Sequence, residues 1–190
     1  MIPTEDNYVD WILAGIHEYF ARIGFAVRTF SVGQVKEKDF PVDRLLALGS
    51  KLIGLQFKRP LRESPPWEYD TRPHQHQDIL GSNWVYYCLP DFTDMALDRV
   101  ALFHCKFVRG REIPIEGLRS ARYYRWGAIA QGLQRCGHGV QLKSSESWDD
   151  LIEDIVSNPR DAYLLISEVA RGAFIVAERD RTSRTGNGAA

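Results

Sequence analysis

The order of elements legible along the chain is helix, three strands, helix, strand, which predicts an α/β class with an α+β tendency. Three observations carry that reading. Apolar residues recur at helical spacing over 8–23, three stretches rich in β-branched and aromatic residues follow between 25 and 60, and a short helix then leads into another strand. With 190 residues that are 44% hydrophobic and 26% charged, the chain reads as a single domain over 1–178 with a frayed tail over 179–190. The apolar content argues against general disorder, no period points to collagen or a coiled coil, and no stretch approaches a membrane span.

In chain order, Ile12, Ile16, Tyr19, Phe20 and Ile23 make the apolar stripe of the first helix, with Thr4 and Asn7 as capping residues before it and Gly24 as its stop. Residues 25–32 read as a strand and the loop after them runs to Asp39. Residues 40–48 and 51–60 read as two strands joined by a short turn at Gly49 and Ser50, the second ended by Pro60, which has no N–H to donate. The proline-rich 61–73 reads as a surface loop, 75–81 as a short helix and 83–89 as a strand. Residues 90–100 read mostly as loop, with Asp91 as a cap, and 101–108 as a strand. Further on, 120–135 reads as a helix capped by Ser120, Ser147 caps another over 148–156, and both 162–168 and 172–178 have strand composition.

Net charge is -1, from 24 Lys and Arg against 25 Asp and Glu, which argues against a uniformly basic binder. By segment the balance is uneven: residues 99–143 hold 9 basic and 2 acidic side chains, whereas 144–180 hold 3 and 9. Arginines in the first block interleave with Tyr123, Tyr124 and Trp126, a pattern suited to gripping phosphates and stacking bases, or equally to pairing with the acidic block. Three widely spaced cysteines form no disulfide framework, and the acidic start lacks the pattern of a secretory signal, so a reducing, cytoplasmic setting is expected.

The chemistry concentrates in residues 40–60. Gln56 and Lys58 lie two apart on one strand and share a face, and the turn at 49–50 folds Asp43 back beside them. An ammonium and an amide among apolar strand residues need partners, and clustering with Asp43 satisfies all three. The alternative is a cross-strand Asp43–Lys58 ion pair, with Gln56 bonded to backbone and Glu18 of the first helix solvated.

This pattern resembles the restriction-endonuclease-like, or PD-(D/E)xK, nuclease superfamily, over residues 8–88. In that superfamily a central mixed sheet is flanked by helices, an aspartate on the second strand and an acid-x-Lys on the third make a metal site, and many members add a glutamate from the first helix. Asp43, Gln56, Lys58 and Glu18 match those positions; glutamine stands for the acid, as in some members, and Val42 separates Asp43 from Pro41. The resemblance implies hydrolysis of DNA phosphodiester bonds with one Mg²⁺ or Mn²⁺ held by Asp43, Glu18 and Gln56, while Lys58 positions water or offsets charge. A homodimer fits the double-strand cutting of many members, and RNA stays open as a substrate. The alternative is a catalytically silent member acting as a nucleic-acid-binding or protein-interaction module. Arg59, Arg62 and Arg72, with a basic helix bearing Arg119, Arg122 and Arg125, are the expected phosphate contacts.

Other groupings are weaker. His74, His76 and Asp78 have a metal-like spacing but sit in a polar stretch, and His104, Cys105, Cys136 and His138 make a zinc set only if opposite faces of one strand converge. Asp91, Asp94 and Asp98 have helical spacing in a loop. No Gly-rich phosphate loop is present, so nucleotide cofactors have no motif here.

Overall fold

In a computed structural model the described residues are 1–33, 39–71, 73–115, 117–134, 139–141 and 147–170. Helix α1 (Glu5–Arg22) starts at a reciprocal cap: the Thr4 hydroxyl accepts from the Asn7 N–H, and the Asn7 side chain accepts from the Thr4 N–H at 3.0 Å. It ends at Ile23, after which Gly24 takes a φ of 80°. Three strands follow as an antiparallel meander, β1 (Val27–Ser31), β2 (Arg44–Leu48) and β3 (Lys51–Phe57). The β2–β3 turn has only Gly49 and Ser50 between the paired Leu48 and Lys51, and Gly49 carries a φ of 58° that a side chain would strain. Helix α2 (Pro73–Ile79) crosses over to β4 (Val85–Pro90), which pairs parallel to β3, and β5 (Cys105–Arg109) closes the order β1-β2-β3-β4-β5 antiparallel to β4. A two-residue strand, β6 (Val140–Gln141), pairs with the start of β3.

Strand alternation sorts the core into two layers. Leu46, Ile53, Leu55, Phe57, Tyr86 and Phe107 pack under α1 and under α3 (Trp126–Gln134). Leu45, Ala47, Leu52, Val85, Tyr87 and Val108 pack under α2, α4 (Ser147–Ser157) and a last helix α5 over 159–170. The result is a mixed α/β fold in which a central mixed sheet is flanked by helices. Gly54 lies at a tightly packed point of β3, where an added Cβ would sit 2.9 Å from the Trp84 ring and 3.0 Å from Val42.

Several expectations are corrected. Residues 101–104 are not strand: a 3₁₀ helix runs Met95–His104, and its cap is Asp94, not Asp91, through a bond from the Ala96 N–H. The helix expected over 120–135 begins only at Trp126, because Tyr124 exchanges backbone bonds with Phe107 at 2.8 and 2.9 Å and must be extended. Arg119 therefore sits on a single 3₁₀ turn, Leu118–Ser120, and Arg122 and Arg125 lie in the irregular stretch between it and α3. Residues 162–168, read as strand from composition, belong to α5, where Ala162, Tyr163, Ile166 and Ala170 bury one helical face. The expected strand over 172–178, the tail over 179–190, Arg72, and Cys136 with His138 of the zinc set lie outside the described residues.

Candidate active site

Asp43 precedes β2 and Gln56 nearly ends β3, so the antiparallel register that pairs Arg44 with Leu55 sets them side by side. Asp43 Oδ2 accepts two bonds, each 2.7 Å, from the Gln56 side-chain amide and from the Phe57 backbone N–H. Gln56, only 1% exposed, uses its Oε1 to accept from Gln75 Nε2 at 3.0 Å. Gln75 Oε1 in turn accepts from the Lys58 ammonium at 3.1 Å. Lys58, 7% exposed, continues the β3–β4 ladder through its backbone N–H to Cys88.

These four side chains form one directional chain of donors, Lys58 to Gln75 to Gln56 to Asp43. An ammonium that only donates and a carboxylate that only accepts set its two ends, so the orientation of both amides follows without ambiguity. A buried cation and a half-buried anion are thereby joined through polarised amides in a low-dielectric setting. The charge of Asp43 also reaches β4: the buried Tyr87 phenol is pushed far above its ordinary range, mainly by burial and further by Asp43. His76 sits 3.2 Å from that phenol, and burial lowers its pKa.

Three of the four expected residues therefore come together, and Gln75 joins them. No motif pointed to Gln75; the only sequence signal was its place on a short helix leading into β4. Glu18 does not join the group. It is 59% exposed at the side chain, pairs with Arg22 one turn along α1, and lines a surface hollow with Trp11 and Arg99. The helix glutamate beside the cluster is Glu5, in the first turn of α1. Glu5 lines one hollow of about 170 Å³ with Asp6 and Asp43, and another with Lys58, Arg59 and Asp70. Thirteen residues of helix place Glu18 about 20 Å along the axis from Glu5.

Among the described residues no group of three His, Cys, Asp or Glu side chains is disposed to hold a metal ion. The carboxylates of Glu5 and Asp43 are hard oxygen donors at one hollow, a set that suits Mg²⁺, which keeps most of its water and is commonly held by one or two carboxylates plus a substrate phosphate. Gln56 fits less well as a ligand, because its carbonyl is turned to Gln75. Its role in this structure is to orient Asp43.

The arginines expected to meet DNA are mostly engaged. Arg62 and Arg119 share Glu68, at 3.1 and 2.6 Å, and Arg125 binds Asp91 at 2.7 Å. Arg122 lies over the Tyr124 ring, and Arg59 is exposed beside Lys58. Among the described residues, then, carboxylates from other elements offset part of the basic block. Neither Tyr124, bonded to Glu112, nor the fully buried Trp126 is placed to stack on a base.

Comparison with known proteins finds no matching family model and no curated protein or solved structure of significant similarity.

Proposed function

We propose that the protein is a metal-dependent nuclease that hydrolyses DNA phosphodiester bonds, built on a restriction-endonuclease-like core. The observation that carries this reading is the position of Glu5, which lines both the Asp43 hollow and the Lys58 hollow, so carboxylates and an ammonium gather where β2 begins and β3 ends. The helix–meander–crossover–strand order, with the second strand antiparallel to its neighbours, agrees with that core.

Asp43 and Glu5 would hold Mg²⁺ or Mn²⁺, which when bound supplies a Lewis acid for the phosphate and a more acidic water. Asp43 is pre-oriented by Gln56 and by the Phe57 N–H, so little reorganisation accompanies binding. Lys58, steadied by Gln75, presents positive charge where the phosphoryl oxygens gain negative charge. A second reading, a catalytically silent module that binds nucleic acid or protein, is favoured by one observation: an amide committed to Gln75 stands where a third carboxylate would add a ligand.

The test is incubation of supercoiled, linear and branched DNA with Mg²⁺ or Mn²⁺, comparing the intact protein with Asp43→Ala and Lys58→Ala. The expected outcome is cleavage that EDTA abolishes and that each substitution lowers by about 10²-fold or more. Cleavage unchanged in both variants would remove the site. DNA binding with no cleavage in either metal would favour the silent module.

A further inference from the structure

Immediately after Lys58 and Arg59 the chain forms a braced arm. Pro60 bridges to Tyr69, the Leu61 N–H donates to the Glu68 carbonyl at 2.9 Å, and the Tyr69 hydroxyl ties the arm to the Pro90 carbonyl at 2.8 Å. The arm faces the irregular segment before α3, and the two border a cleft of about 790 Å³. Its walls include Trp67 and Tyr123, and Tyr123 is 48% exposed. Leu61 lines this cleft and also the hollow of Lys58, Arg59 and Glu5, so one side chain borders both spaces. Leu61 is three positions on from Lys58, a span of at most about 11 Å.

We propose that this cleft takes an unpaired nucleotide of a DNA strand whose backbone continues toward Lys58. The inference rests on the nuclease reading and names its substrate class, DNA with single-stranded character. The chemistry of the walls supports it. Aromatic faces stack on any base, and stacking is available only to a base that is out of its duplex. The charges suit a backbone: Arg119, Lys106 and Glu68 line the cleft, and beyond its lining Arg62 shares Glu68 with Arg119 while Arg125 shares Asp91 with Lys106, so four cations accompany two carboxylates in and around it. The carboxylates position the guanidinium groups and the surplus is positive, the sign a phosphate requires. An apolar partner would find the rim charged, and a duplex would present paired bases that cannot enter.

The test is equilibrium binding of the full-length chain in EDTA to a fluorescent single strand and to the matching duplex, read by anisotropy. Trp67→Ala is expected to weaken single-strand binding about tenfold and duplex binding by less than about twofold, while Trp67→Phe, which keeps a ring, stays within about threefold of the parent. Arg119→Ala is expected to weaken both ligands alike, since a phosphate contact ignores pairing. Equal losses on strand and duplex in Trp67→Ala, no loss on either, or a Phe variant as impaired as the Ala variant would each overturn the proposal. Cleavage measured on the same chains separates this inference from the reading beneath it. Single-strand binding that needs Trp67, without cleavage by any chain, removes the nuclease and keeps the subsite. Cleavage that needs Asp43, with strand affinity indifferent to Trp67, does the reverse.

Discussion

Gln56 is the residue on which the proposed chemistry turns, because in the nuclease reading an acid at its position would add a ligand, whereas the amide serves as a donor. Its Nε2 gives a hydrogen bond to Asp43 that a carboxylate could not give. Gln56→Glu would set two carboxylates at hydrogen-bond distance, and like charges that close either share a proton or repel. In EDTA the variant is expected to lose about 1–3 kcal/mol of stability in urea denaturation, the usual cost of a broken buried bond. Millimolar Mg²⁺ should raise its melting temperature more than the parent's, because an added ligand favours the metal-bound folded state. A variant whose melting ignores Mg²⁺ would argue against a metal position between Asp43 and this side chain. At this scale the sequence was informative about Asp43, Gln56 and Lys58, since period-two alternation and a short turn dictate their proximity. It was silent about Gln75, whose partners come from a strand 17 and 19 residues earlier in the chain.

Helix α1 shows how an element can be read correctly and still mislead. Its apolar stripe was legible, with Ile12, Ile16 and Phe20 all buried. Periodicity locates the buried face but not which end of the helix lies near Asp43 and Lys58. A helix read from residue 8 leaves Glu5 outside it and Glu18 as its one glutamate. The structure separates the two: Glu5 lies beside Asp43 and Lys58, whereas Glu18 is held by Arg22 on the surface. Glu5→Gln is therefore expected to lower cleavage by about 10²-fold and Glu18→Gln to leave it within about twofold, measured on the same DNA substrates. The opposite ranking would restore Glu18 to the site. The element misread outright, α5, shows the complementary problem. Its Leu, Ile and Tyr content resembles a strand over seven residues, and only the packing of Ala162, Tyr163, Ile166 and Ala170 on the sheet reveals a helical period.

For the whole molecule, charge distribution matters more than net charge. Among the described residues the basic block over 99–143 is partly neutralised, because Asp91 and Glu68 from other segments meet Arg125, Lys106 and Arg119. A protein whose cations are so partnered releases few counterions on binding a polyanion. Non-specific duplex binding is expected to show a shallow salt dependence, with a log–log slope near about -2. A slope several times steeper, measured by anisotropy across a salt series, would mean that the internal ion pairs open to engage phosphates.

Alternation, turn residues and helical spacing act over a few residues, and they were enough to determine the first helix, the hairpin of β2 and β3 and the side-by-side placement of Asp43, Gln56 and Lys58. Local rules could not decide what packs over that strand face, which end of α1 lies at the cleft, or which carboxylates meet the arginines. Those outcomes depend on contacts between segments far apart in the chain, whose partners emerge only when the sheet and its two helical layers close on one another. The Lys58–Gln75 bond, the place of Glu5 beside Lys58, and the lining of one cleft by Trp67 and Tyr123 are all products of that closure.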